Sequence, residues 1–157
     1  MSDKVGGLPN RGATYNGPNV TIPTAFGGSI GLEGQEQNFR DYDPAAPSGG
    51  VRLLRSNREV TCLLVRNVSA IALLPKRIVK WKAGFRNKRV DGYCAIDFEH
   101  VAGIVDEHLG TAGVRANDLF WVTVKGPTLI KTSLGGDGTN VINEGELLVA
   151  LTAVTSQ

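Results

Sequence analysis

The chain has 157 residues, with 17 lysines and arginines against 15 aspartates and glutamates and a formal net charge of +2. This length predicts about one domain, and so balanced a charge argues against a surface devoted to nucleic acid. No stretch reaches the roughly 18–20 apolar residues that cross a bilayer, and the N-terminus lacks the apolar region of a secretory signal. We therefore expect a protein made in the cytoplasm, without a membrane segment.

The charges are divided unevenly along the chain. Residues 1–50 carry three basic and five acidic side chains, residues 51–94 carry eleven basic and two acidic, and residues 95–157 carry three basic and eight acidic. A basic middle and an acidic end can attract each other within one fold or across an interface between copies of it. The sequence leaves both options open.

The first 50 residues hold ten of the 20 glycines and five of the seven prolines. Such a segment has too little apolar surface to offset the entropy of ordering it alone. We predict an extended arm over residues 1–50 that is ordered on partners, followed by a compact β-domain over residues 51–157. The isolated aromatic and β-branched residues of the arm are interpreted as partner contacts, with packing on their own domain as the alternative. They are Tyr15, Ile22, Phe26, Phe39 and Tyr42.

Beyond the arm, short apolar and β-branched runs predict strands. They cover residues 51–54, 59–65, 71–74, 77–83, 94–105 with a bulge near Gly103, 119–126, 128–132 as a hairpin partner, and 147–154. In the run 77–83, Val79, Trp81 and Ala83 share the predicted buried face. One short helical turn is expected around Leu109. Strands at this spacing predict an all-β fold, a small barrel or sandwich, rather than βαβ units.

Few residues of the sequence suggest a catalytic or metal-binding site. The densest polar group comprises Asp97, Glu99, His100, Asp106, Glu107 and His108. Its two histidines are eight residues apart, which matches no common metal-ligand spacing, so we interpret the group as a solvated loop face. A hydrolase site or a metal site there is the alternative. Cys62 and Cys94 are expected to be reduced and buried, although pairing stays open. We predict no enzyme, cofactor or metal.

A basic run contains seven cations within fourteen residues and no acid. They are Lys76, Arg77, Lys80, Lys82, Arg86, Lys88 and Arg89, with Trp81 and Phe85 between them. Cations interleaved with rings are typical of a single-strand nucleic-acid face. Because the net charge is small and Trp81 shares a face with Val79, we favour an acidic protein surface or a neighbouring subunit as the partner. Lys76, Arg77, Lys80 and Lys82 are the predicted contacts.

The sequence VAGIVDE at 101–107, NDLFWVTVKGP at 117–127 and NEGEL at 143–147 resembles the capsid decoration (cement) proteins of tailed bacteriophages. Gly103, Gly126 and Gly145 stand where the family pattern has its glycines, and the resemblance covers roughly residues 95–155. It implies a β-barrel-like domain on the outside of an expanded head. Such proteins clamp neighbouring major capsid proteins and often form trimers.

These expectations combine into one functional prediction. The chain is expected to be a non-enzymatic virion protein on the capsid surface, with the major capsid protein and its own copies, as a homotrimer, for partners. Another head–tail or tail component is the first alternative, and a single-strand nucleic-acid-binding module is the second. We expect a chain without residues 2–45 to fold but no longer to bind heads.

Overall fold

The structure is a computed structural model that describes residues 10–14, 32–45, 52–94 and 100–131. These residues form six strands and no α-helix. The strands are β1 Glu36–Tyr42, β2 Leu54–Asn67, β3 Ile78–Trp81, β4 Arg89–Tyr93, β5 Val101–Val105 and β6 Leu119–Lys125. The predicted all-β class is confirmed. No segment in these ranges is a helix long and apolar enough to span a membrane.

Five of the strands form a closed ring, because the long strand β2 pairs with both β4 and β6. The sheet runs β1-β2-β4-β3-β5-β6, and β6 pairs again with β2. The last two residues of β2 pair in parallel with β4, whereas residues 61–66 pair antiparallel with β6. The result is a small barrel of β2, β4, β3, β5 and β6. Strand β1 lies outside this ring, antiparallel to the earlier part of β2.

The paired strands β2 and β6 are buried on both faces, because successive side chains of a strand point to opposite sides. One face contributes to the barrel core, which comprises Val65, Leu73, Val79, Trp81, Val90, Ala102, Val105, Val114, Phe120 and Val122. The other face forms a second group, called here the outer cluster. It comprises Leu32, Val60, Cys62, Leu64, Leu119 and Trp121, with Phe39 packed against it.

Several predicted strands are confirmed. Residues 59–65 lie within β2, and residues 119–126 correspond to β6, which ends before Gly126. In β3, Val79 and Trp81 are buried as the alternation predicted, but Ala83 lies beyond the strand and is exposed. The pairing of β3 with β5 skips from Gly103 to Val101, so an irregularity occurs where the bulge was predicted.

Other predictions were wrong. Residues 71–74 contribute only an isolated bridge, from Leu73 to Val114, and the chain then turns at Lys76 with a φ of 65°. Residues 107–109 form a turn closed by the Leu109 amide on the Asp106 carbonyl rather than a helical turn. Residues 52–53 and 128–131 are not strands. The predicted strand 147–154 lies outside the described residues.

Two strands were not predicted. Strand β1, with the sequence EQNFRDY, was assigned to the arm because it is mostly polar, and β4 holds Asp91 and Gly92. Both are held by main-chain pairing with β2 rather than by a hydrophobic pattern. Residues 36–42, which the prediction placed in the arm, therefore belong to the sheet.

Candidate partner-contact site

The predicted basic contacts lie on and around β3, and all four are half-buried. Lys80 pairs with Val101 of β5, and Ile78 pairs with Ile104 on the same side. Val101 is 48% exposed although it is apolar. Ile78, Lys80, Val101 and Ile104 together form a mixed apolar and cationic surface, called here the β3–β5 face. A surface of this kind suits a protein partner better than a polyanion alone.

The other predicted basic residues are used partly by the fold itself. Lys82 donates to Asp91 at 2.7 Å, and this ion pair is well exposed and therefore weak. Lys76 accepts a main-chain hydrogen bond from Lys131 at 2.8 Å. Arg77 is half-buried at the start of β3 and accepts from the Val105 amide through its carbonyl. The bonds of Lys76 and Arg77 involve only their main-chain carbonyls, and within the β3–β5 face as defined the charge is that of Lys80.

The predicted aromatic contacts divide into two groups. The rings of Phe39 and Trp121 meet edge to face, with centroids 5.1 Å apart. Phe39 therefore serves the chain's own outer cluster, which is the alternative that the sequence left open. Tyr42 is half-buried at the end of β1. Tyr15, Ile22 and Phe26 lie outside the described residues.

Five charged residues form a buried group, called here the ion cluster. No local sequence motif indicates this group. Its members are Arg11, Asp41, Arg55, Asp106 and Glu107. Arg55 donates two hydrogen bonds to Glu107, at 2.8 and 3.1 Å, and three to Asp41, at 2.6, 3.1 and 3.3 Å. Arg11 donates to Asp106 at 3.3 Å and to Glu107 at 3.4 Å. The side chains of all three carboxylates have no solvent exposure.

The ion cluster ties residues that are far apart in sequence. Asp106 also accepts the amide of Gly12 at 2.5 Å, so residues 11–12 are held on the loop after β5. Removing one partner of a buried ion pair is costly because the other charge stays uncompensated. The attraction expected between the basic middle and the acidic end is realised within one fold by Arg55 and Glu107.

Hydrogen bonds keep two members of the ion cluster, Asp41 and Arg55, in their charged forms. Burial alone would raise the pKa of Asp41, but hydrogen bonds from Arg55 and Ser56 outweigh it and lower that pKa below 3.8. The pKa of Arg55 is raised, chiefly by its bonds to Glu107 and Asp41. Both groups therefore stay charged at neutral pH.

The interpretation of residues 106–107 as part of a solvated loop face was wrong. Asp106 and Glu107 are 0% and 3% exposed, because Arg11 and Arg55 neutralise them in the interior. No group of three potential metal ligands occurs in the described ranges. His100 is exposed, while Asp97 and Glu99 lie outside those ranges.

A second ion-pair group holds the segment before β1. Glu33 accepts from Arg66 at 2.5 Å and from Arg89 at 2.9 Å. Arg66 also donates to the Asn117 carbonyl at 2.6 Å. Arg89, one of the seven cations of the basic run, is therefore part of the chain's own packing. No local pattern indicates this group, since Glu33 is 33 and 56 residues from its partners.

The features that suggested nucleic acid are weakened by the geometry. Trp81 is only 8% exposed in the barrel core, so it is not open to stack on a base. Phe85 is 41% exposed, but the Arg89 guanidinium lies 4.4 Å over its ring.

The two cysteines are both free and buried. Burial is the main cause that raises the pKa of Cys62, to about 11, so its thiol stays protonated at neutral pH.

Two of the three glycines in the resemblance lie at tight contacts. Gly103 has a φ of 148°, and a Cβ there would overlap the Thr123 carbonyl of β6. Gly126 has a φ of 101°, and a Cβ there would come within 2.5 Å of the Glu59 carbonyl of β2. Gly145 lies outside the described residues. No family model, curated protein or solved structure matches the chain.

Proposed function

We propose that the chain is a structural virion protein that binds the outer surface of a tailed-phage head. It clamps neighbouring major capsid proteins, associates with its own copies as a homotrimer, and performs no catalysis. The β3–β5 face and the segment with Tyr15, Ile22 and Phe26 are the proposed contacts. Phe39 is no longer among them, because it packs against Trp121.

The pairing of β5 with β6 carries this proposal. VAGIV and LFWVTVK, from the two motifs that resemble decoration proteins, are neighbouring antiparallel strands. The glycine of the first motif lies where β5 approaches β6, and that of the second where the chain leaves β6 against β2. The motif order thus matches a three-dimensional unit, which supports the resemblance.

The exposed surface is consistent with binding by many modest contacts. Isolated apolar side chains such as Val101, Ile71 and Leu74 are 39–48% exposed, next to half-buried cations. Burying apolar surface yields about 25 cal/mol per Å², less the cost of ordering the contacting groups. A protein repeated over a closed shell gains further from having several attachments per assembly.

Binding to heads tests the proposal. Expanded heads that lack the protein are mixed with the purified chain and sedimented, and the bound fraction is measured on a gel. We expect saturable binding that raises the temperature at which the heads rupture. The triple variant Tyr15→Ser, Ile22→Ser, Phe26→Ser and the double variant Lys80→Glu, Val101→Asp should each weaken binding. Arg58→Glu, an exposed change on β2 outside the β3–β5 face, is the control.

Two results would contradict the proposal. Wild-type protein that stays in the supernatant at every concentration would rule out a role on the head surface. Images of labelled virions with the protein at the neck or tail would instead favour another phage structural component. A single-strand nucleic-acid module would show a gel shift that weakens steeply with salt.

A further inference from the structure

A small cleft opens beside the ion cluster, where residues 10–11, the end of β1 and the start of β2 meet. Its volume is about 110 Å³. Its wall is formed mainly by three arginines, two aromatic rings and one histidine, namely Arg11, Arg40, Arg52, Phe39, Tyr42 and His108. Of the described residues, no acidic one lines it. The wall therefore offers positive charge and apolar ring surface.

Two nitrogens at this cleft lack partners. The Arg11 side chain is only 4% exposed, and its Nε and Nη2 atoms donate to Asp106 and Glu107, but its Nη1 atom is buried without an acceptor. The Nε2 atom of His108 is likewise buried without a partner. A buried polar group without a partner costs about 1–3 kcal/mol. The Arg11 Nη1 group can only donate, so an acceptor is missing at this cleft, and His108 Nε2 can act as a second donor when that nitrogen carries the ring proton.

The charge balance indicates what that acceptor is. Counting the cleft and the carboxylates behind it, Arg11, Arg40, Arg52 and Arg55 face Asp41, Asp106 and Glu107. The three carboxylates already pair with Arg11 and Arg55, so Arg40 and Arg52 add further positive charge at the cleft. Asp43 is exposed and does not line the cleft. Glu59 lies opposite Arg40 across the strand pair and competes for that arginine.

We propose that this cleft binds one carboxylate group, held by Arg11 and Arg52 together with the ring of His108. The planar guanidinium matches the two oxygens of a carboxylate, and Phe39 and Tyr42 suit the apolar stem that carries it. Because neither Nη1 of Arg11 nor Nε2 of His108 is open to solvent, side chains at the cleft must move before the ligand reaches them. This proposal does not depend on the proposed function.

The protonation of His108 gives a direct readout. Burial and the charge of Arg11 lower its pKa from 6.5, against the opposing effect of Asp106 and Glu107, and Arg52 lowers it further. A bound carboxylate adds a negative charge beside the ring and should raise this pKa again. His100, the only other histidine, is exposed and serves as the internal control.

The experiment follows both histidine rings by NMR in the full chain, as pH is varied with sodium acetate or sodium chloride at equal ionic strength. Acetate should raise the midpoint of His108 and leave that of His100 unchanged. Arg52→Gln should weaken acetate binding by up to about fivefold, as expected for an exposed charge pair, while Arg58→Gln should match wild type. Equal binding by the two variants, or no shift of His108 in acetate, would overturn the site.

Two further probes identify the ligand. Phosphate that binds more tightly than acetate at equal ionic strength would overturn the assignment to a singly charged carboxylate. N-acetylglutamate amide that binds while N-acetylglutamine amide does not would identify a side-chain carboxylate of a partner protein as the source. Binding of acetate without N-acetylglutamate amide would support a carboxylate site for small free anions.

Discussion

The two faces of the β2–β6 pair are buried by different means. On the inner face, Phe120 and Val122 are covered by the strands of the barrel itself. On the outer face, Trp121 is covered with the help of Leu32 and Phe39, which come from the first 45 residues. Hydrogen bonds to Asp106 of the ion cluster hold residues 11–12 beside this outer face. The comparison teaches that the described parts of the predicted arm complete a core rather than only reach for a partner.

The largest expected losses of stability come from truncating a large buried side chain on either face of the β2–β6 pair. Phe120→Ala and Trp121→Ala should each lower the free energy of unfolding by about 3–5 kcal/mol, because both side chains are fully buried. Urea unfolding followed by circular dichroism measures both. Val124→Ala, which changes a side chain that is 40% exposed, should cost little. A cost under about 1 kcal/mol for Trp121→Ala would show that the outer cluster is not a true core.

A buried contact of the ion cluster should contribute more to the free energy of unfolding than an exposed ion pair does. Asp106→Asn leaves Arg11 and the Gly12 amide without their charged acceptor and should cost about 3 kcal/mol. Asp91→Asn removes the exposed partner of Lys82 and should cost less than about 1 kcal/mol. Denaturant midpoints of the two variants make the comparison. Equal midpoints would mean that the buried ion cluster contributes no more to stability than the exposed ion pair.

Gly126 should be intolerant of a side chain for two separable reasons. Gly126→Ala combines a φ of 101° with an overlap against the Glu59 carbonyl. Gly84→Ala meets a φ of 78° with no atom within 4 Å, so it isolates the backbone strain. In thermal unfolding, we expect Gly84→Ala to lower the free energy of unfolding by about 1 kcal/mol and Gly126→Ala to lower it by clearly more. Equal losses would show that the overlap relaxes without cost.

The smallest effect concerns pH. The pKa of His108 is lower in the folded chain than its usual 6.5, so the unfolded chain binds more protons near that pH. Stability from this group is therefore full above about pH 6.5 and falls as the pH drops toward the folded pKa. The slope is at most about 1.4 kcal/mol per pH unit for one proton. His108→Gln should flatten the profile between pH 6.5 and 5, and an unchanged profile would contradict this reasoning.

The sequence predicted what depends on local pattern. The apolar run of β6 and the alternation of Val79 and Trp81 are visible because burial repeats along a strand. Strand β1 was missed because its partner, not its composition, makes it a strand. The ion cluster was missed because Arg11 and Asp106 are 95 residues apart and no spacing rule joins them. Unequal charge along the chain was the only sign of it.

Removing the N-terminal region tests the central claim most directly. A chain without residues 2–45 is expected to fold, but that deletion removes Arg11, Leu32, Phe39 and Asp41 and so leaves the outer cluster and the ion cluster incomplete. Unfolding in urea, followed by tryptophan emission, compares this chain with one that lacks only residues 2–9. We predict red-shifted emission from Trp121 and a stability loss of several kcal/mol for the longer deletion only. Equal emission and equal midpoints for the two chains would contradict the account.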